Sequence, residues 1–311
     1  MKFPPPGRMV DIGGRRLHLN ISDYPSGPTV ILEAGLAATS LSWATVQPLI
    51  APFARAASYD RTGLGWSDDA VMPATALNAA RELRLLLDRA ELPPPYVLIG
   101  HSLGGLIVRI FQQENPDIVA GLVLVDPVVR AEWRTPTEQR RRLLGRGVAL
   151  SKRGAFLARI GVVRLALGLL TGGSARIPGL VARAFAGKAS GVANRLVGEV
   201  RKIPRELWPV IAANWSEERA FRIMAEYLEN LPLSVSQLDE GRSLGDLPVA
   251  ILSSANASTD ALAEHEQDAR LSTRGEHLVV PRTGHWINLD APDVIAAAVQ
   301  RVCKKITERS Y

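Results

Sequence analysis

The stretch that decides the reading is residues 96–105, Tyr96-Val97-Leu98-Ile99-Gly100-His101-Ser102-Leu103-Gly104-Gly105. Its opening apolar run reads as a strand buried on both faces. The segment after it, Leu103–Gln113, reads as a helix. Between them lies Gly100-His101-Ser102-Leu103-Gly104, a G-x-S-x-G pattern in a strand–turn–helix context. Such a turn exposes the serine hydroxyl, and the flanking glycines let neighbouring backbones approach closely. The helix N-terminus beneath it aims backbone N–H groups at the place where a negative oxygen would develop. Ser102 is the candidate nucleophile.

Outward from this turn, further strands are expected at Arg8–Ile12, Arg16–Ile21, Thr29–Glu33, Ala54–Tyr59, Gly121–Val125, Val249–Ser253 and His277–Pro281. Helices are expected at Ala74–Ala90 and Pro292–Lys304. Strands alternating with helices of this length imply βα units and a mostly parallel sheet. The first two strands, joined near Gly13-Gly14, read as an antiparallel hairpin at the edge. The alternation breaks in the middle third, which is helical and basic. Residues 127–235 carry a net charge of +11, whereas the rest of the 311 residues carries −5, giving +6 overall. An apolar share of 47% and a charged share of 22% describe an ordinary globular chain. The lone Cys303 allows no internal disulfide. The N-terminus MKFPPPGR has no apolar signal region, and no apolar run is long enough to span a bilayer, so a cytoplasmic protein is expected.

These features resemble the α/β-hydrolase superfamily over nearly the whole length outside the basic middle. The resemblance implies an eight-stranded, mostly parallel sheet with helices on both faces. Residues 1–126 and 236–311 would form the core, and 127–235 a helical cap inserted after the sixth strand. Glu33-Ala34-Gly35-Leu36 stands where relatives commonly carry His-Gly, with Ala34 in place of the histidine. The resemblance assigns oxyanion binding to the backbone N–H groups of Leu36 and Leu103, which survive that change. Asp60-Arg61-Thr62-Gly63-Leu64-Gly65-Trp66-Ser67-Asp68 is similar to a D-x-x-G-x-G-x-S loop that is mainly a structural turn in the superfamily, so it is given no chemistry.

A serine hydroxyl needs a base. Of five histidines, His101 adjoins the nucleophile with its ring expected to point away, and His18 lies in the second strand. His265, between Glu264 and Glu266, reads as part of a solvated face, and His277 as packing. His285 follows the last strand in Thr283-Gly284-His285-Trp286 and is the candidate base, in the chain order serine, acid, histidine. Two carboxylates compete for the third role. Asp126 directly follows Leu122-Val123-Leu124-Val125, where a buried carboxylate is costly unless paired. Asp260 is the first carboxylate after the seventh strand, the more usual place in the superfamily; Ala255, Asn256 and Ala257 occupy its commonest positions.

The chemistry expected is acyl transfer on a carboxylic ester, with an apolar ester as substrate, no cofactor and no metal. Dehalogenases and epoxide hydrolases of the superfamily attack with Asp, which Ser102 is not. Amide, lactone or C–C cleavage by the same triad, and a ligand receptor with slow turnover, remain alternatives. The aminopeptidase alternative is disfavoured by a cap with no acid between 139 and 198. Nucleic acid is disfavoured by an aromatic content of 5% and no readout motif. Phe156, Leu157, Ile160, Val163, Leu167 and Leu170 form an apolar stripe among Arg153, Arg159 and Arg164. Such a helix either lays its apolar face on the core or contacts an anionic membrane or amphiphile surface. Pro178, Pro204 and the glycines at 145, 147, 154, 161, 168, 172 and 173 suggest that the cap moves as a lid.

Overall fold

A computed structural model describes residues 3–24, 26–171 and 202–308. Leu170 (as a side chain), Gly172, Gly173 and Pro178, named above, lie outside the described residues. Eight strands form one sheet: β1 (Arg8–Asp11), β2 (Arg16–Ser22), β3 (Thr29–Glu33), β4 (Arg55–Tyr59), β5 (Tyr96–His101), β6 (Val119–Val125), β7 (Val249–Ser254) and β8 (Gly275–Val280). Their order is β1-β2-β4-β3-β5-β6-β7-β8. β1 pairs with β2, and β2 with β4, in antiparallel fashion; every other pairing is parallel.

Adjacent strand residues serve opposite faces, as a pleated strand requires. Leu98, Leu122, Leu124 and Ile251 join one core, with the helices Ala76–Arg89 and Leu103–Glu114 packed over it. Val97, Ile99, Val123, Val125 and Leu252 join a second core, covered by Trp43, Ile50 and the helix Pro292–Thr307. The helix Ala76–Arg89 begins where the Thr75 hydroxyl accepts the Asn78 N–H. It turns Leu83, Leu86 and Leu87 inward and leaves Leu85 exposed. After β3 the chain steps one way to β4, and it then returns to β5 on the other side. The crevice at the carboxyl ends of β3 and β5 is the topological switch point where open α/β sheets bind ligands.

Between β6 and β7 the described chain is helical: Ala131–Arg134, Glu138–Arg159, Val162–Thr171, Trp208–Asn214, Glu218–Glu229 and Leu231–Ser236. Glu138–Arg159 and Glu218–Glu229 lie against each other. A Cβ built on Gly154 would stand 2.5 Å from the Phe221 ring, and one on Gly147 3.3 Å from Leu228. Two glycines expected to mark a moving lid are thus places where helices approach closely. The apolar stripe is split as well. Val163 is buried and Leu157 and Leu167 are half-buried, but Phe156 and Ile160 are 62% and 55% exposed. Arg130 holds the start of this insertion to the helix Thr259–Arg270 through a two-pronged pair with Asp268 at 2.6 and 2.7 Å. No described helix is long and apolar enough to cross a membrane.

Candidate active site

β5 delivers the chain directly to Ser102, whose φ of 54° and ψ of −117° lie outside the ordinary regions for a side-chain-bearing residue. Several backbone bonds hold this strained turn. The Ser102 N–H donates to the Val125 carbonyl at 3.0 Å, and the Ser102 carbonyl accepts from Gly105 at 2.9 Å. A Cβ on Gly100 would collide with the Gly104 carbonyl, so this crossing requires glycine. Ser102 caps the helix Leu103–Glu114 only with its backbone. Its Oγ makes no hydrogen bond to a described residue, and its proton awaits an acceptor.

The end of β6 supplies the carboxylate. Asp126, at φ 42°, donates its N–H to the Leu252 carbonyl at 2.7 Å. One carboxyl oxygen accepts the Ser254 N–H at 2.8 Å, and the other lies 2.7 Å from His285 Nδ1. Burial pushes the Asp126 carboxyl up, but the bonds from His285 and the Ser254 N–H more than offset it and hold the group below its ordinary value. A carboxylate at Nδ1 places the proton of neutral His285 there and leaves the Nε2 lone pair for a substrate or serine proton. Asp260 is exposed in the first turn of Thr259–Arg270 and makes no bond to His285. The structure joins Asp126, and not Asp260, to the candidate base.

His285 is half-exposed on the loop after β8, and that loop is fastened at several points. His101 Nε2–H donates to the His285 carbonyl at 2.8 Å, and the two rings are 4.8 Å apart. The Gly284 N–H donates to Asp290 at 2.8 Å, and Asp290 also pairs with Lys202 from the insertion. Burial, and then the neighbouring His285, push His101 down to about 3, so it stays neutral across the useful pH range. Its Nδ1 faces Gly35, where a Cβ would stand 2.9 Å away. His101 thus ties the turn at Ser102 to the loop that carries the base.

Because His101 refuses a proton that the unfolded chain accepts, it opposes folding below its ordinary value of 6.5. Between pH 6.5 and 3 folding stability should therefore rise with pH. The loss at pH 5 relative to pH 7.5 is expected to be about 2 kcal/mol. His101→Gln keeps an N–H donor without the titration and should show a correspondingly smaller acid loss in denaturant melts at the two pH values. Equal losses in both proteins would refute this.

Of the other histidines, His18 and His265 are buried and His277 is partly buried. His18 lies 3.0 Å from Asp60 through Nδ1 beneath the Asp60–Asp68 loop. His265 is not on a solvated face: it is 1% exposed, bonded to Ser253 at 2.7 Å and to the Pro127 carbonyl at 3.2 Å. Two residues before it Ala263 is open to water, but the ring turns inward onto β7. His277, expected to pack, meets the same Ser253 hydroxyl at 2.7 Å and Glu266 at 3.0 Å.

Leu36 follows β3 in a turn completed by Ala37 at φ 54°, and Leu103 opens the helix after Ser102. Among the described residues no acceptor takes the N–H of either. Both loops sit at the carboxyl ends of neighbouring strands, β3 and β5. Beside Leu36 a narrow apolar cleft, with an enclosed volume of only about 10 Å³, is lined by Ala37 and by Trp215, Ala220, Phe221 and Met224 of the insertion. The arrangement can present a serine, a base oriented by a carboxylate, and free N–H donors to one carbonyl group.

Comparison with known proteins agrees with this architecture. The sequence model of the alpha/beta hydrolase family matches residues 30–298, and the chain belongs to that family. An AB hydrolase superfamily protein of Gibberella zeae is 41% identical over 106 residues, 33% of this chain and 33% of that protein. The chain thus spans about a third of the length of that relative. Among solved structures, the epoxide hydrolase CorEH superposes with a TM-score of 0.68 at 16% identity, covering 95% of this chain and 97% of its own. A thermophilic esterase from Thermogutta terrifontis gives 0.62 at 20% identity, covering 94% of each chain. At these identities the likeness is one of fold.

Proposed function

We propose that this hydrolase cleaves carboxylic esters of apolar acids through an acyl-enzyme on Ser102. The observation that carries the reading is the 2.7 Å contact of Asp126 with His285 Nδ1, on a loop that His101 fastens beside Ser102. His285 Nε2 accepts the serine proton as Oγ attacks the ester carbonyl, and the Leu36 and Leu103 N–H groups receive the charge that develops on the carbonyl oxygen. The alcohol leaves with the proton returned by His285, and water repeats the sequence to release the acid. A serine at this position, rather than an aspartate, favours acyl transfer over the alkyl-enzyme chemistry of dehalogenases and epoxide hydrolases.

The reading is tested with a series of p-nitrophenyl esters of increasing acyl length, with Ser102→Ala as control. Turnover that Ser102→Ala abolishes is the expected result, and no turnover of any member would refute ester cleavage.

A further inference from the structure

The loop Asp60–Asp68, left without chemistry by its sequence, places Arg61 directly behind the oxyanion turn. The Arg61 side chain is 2% exposed and its partner Glu33 1%. Nη1 donates to the Glu33 carboxylate and, at 2.6 Å, to the Ala34 carbonyl. Nη2 donates to the Gly35 carbonyl, also at 2.6 Å. Glu33, Ala34 and Gly35 are the three residues before Leu36, so one planar guanidinium grips the whole approach to that N–H. The second Glu33 oxygen accepts the Tyr59 hydroxyl.

The other side of Arg61 faces the insertion. The Tyr227 ring, from the helix Glu218–Glu229, lies 5.2 Å from the guanidinium carbon. The same helix is docked on this loop by Arg219, which donates to the Ser67 carbonyl at 2.6 Å and the Gly65 carbonyl at 2.8 Å. Ile223 fills the space that a side chain on Gly63 would need. Ala220, Phe221 and Met224, one face of that helix, line the apolar cleft. One helix thus lines the cleft beside Leu36 and covers the arginine behind the oxyanion turn.

Stability alone is a poor reason for this pair. Two buried charges lose hydration that their attraction barely returns, and an apolar pair of similar volume often serves the fold as well. A guanidinium offers what an apolar pair cannot: fixed, coplanar donors that hold two successive carbonyls in register. We propose that Arg61 is a positioning residue for the oxyanion hole, clamping the Ala34 and Gly35 carbonyls so that the Leu36 N–H meets the reacting oxygen, and that Tyr227 makes the clamp depend on the seating of the helix Glu218–Glu229. The inference rests on the serine-hydrolase reading above.

Arg61→Lys retains a cation facing Glu33 but cannot hold both carbonyls. With p-nitrophenyl butyrate as substrate, kcat should fall at least ~30-fold while KM stays within threefold, since an oxyanion donor acts in the transition state. A purely structural role would lower the melting temperature and leave kcat of the folded protein unchanged; that result, or a change confined to KM, overturns the proposal. The rate at which a fluorophosphonate modifies Ser102 should fall in parallel, because that reaction needs the nucleophile and its donors but no particular ester. If the wild-type protein reacts with the probe but hydrolyses no ester, the substrate reading fails and Arg61 is still judged by the labelling rate. Tyr227→Leu, which leaves the ion pair in place, should lower kcat about tenfold. Tyr227→Phe should restore it to within threefold of wild type. Should Arg61→Lys fail to fold, this second pair decides, and equal rates for Tyr227→Leu and wild type overturn the coupling.

Discussion

Ser102→Ala should reduce kcat for ester hydrolysis by about 10⁴-fold or more while leaving the fold intact. The loss is large because the base and its carboxylate act through the serine oxygen, whereas the oxyanion donors act on the substrate carbonyl. Removing the atom that forms the covalent bond leaves only binding and electrostatic stabilisation. The fold should tolerate the change well. Oγ makes no hydrogen bond to a described residue, and alanine keeps the Cβ, so the strain at φ 54° is the same in both proteins. Thermal unfolding within a few degrees of wild type, together with loss of turnover, is the expected pair of results. Turnover retained within tenfold would mean that another group attacks the substrate.

Asp126→Asn should cost about 10³–10⁴-fold in kcat, and Asp260→Asn less than twofold. The asparagine amide is nearly the same shape, so the loop should keep its place. The change is electronic. An amide N–H turned to His285 Nδ1 forces the ring proton onto Nε2, and the face towards Ser102 becomes a donor instead of a base. The alternative amide orientation retains the tautomer but lacks the negative charge that stabilises the imidazolium formed during attack. Steady-state kinetics on both variants across pH 6–9 would measure this. Wild-type rates in Asp126→Asn, or a larger loss in Asp260→Asn, would remove Asp126 from the mechanism.

Much of this architecture is legible in the sequence because strands buried on both faces leave continuous apolar runs. Leu122–Val125 and Tyr96–Ile99 could be placed without knowing what lies beside them. The turn at Ser102 was equally readable through its pattern, in which Gly100 answers to the Gly104 carbonyl four residues on; that Gly104 answers to the Glu33 and Ala34 carbonyls was not. The choice of acid was not. Asp126 and Asp260 each follow a strand, and what separates them is the adjacency of β6 to the loop after β8, a property of the whole sheet. His265 misled for a related reason: its neighbours Glu264 and Glu266 are charged, yet helical rotation turns the ring inward to Ser253. Arg61 left no local signal of its partners, because Glu33 and Tyr227 meet it across gaps of 28 and 166 residues in the chain. Gly147 and Gly154 within Glu138–Arg159 could signal either motion or close packing, and the positions of Leu228 and Phe221 separate the two.

The pairing of Lys202 with Asp290 has a consequence for protein engineering. Asp290 also accepts the Gly284 N–H, one residue before His285, so the inserted helices and the base loop share a single carboxylate. An insertion transplanted from a relative to alter acyl preference would bring its own residue to that position. If it lacked a cation there, the chimera would leave Asp290 without that partner beside the candidate base. Exchange of this module therefore calls for Lys202 and Asp290 to be moved together, in the same way that a plug is replaced along with its socket.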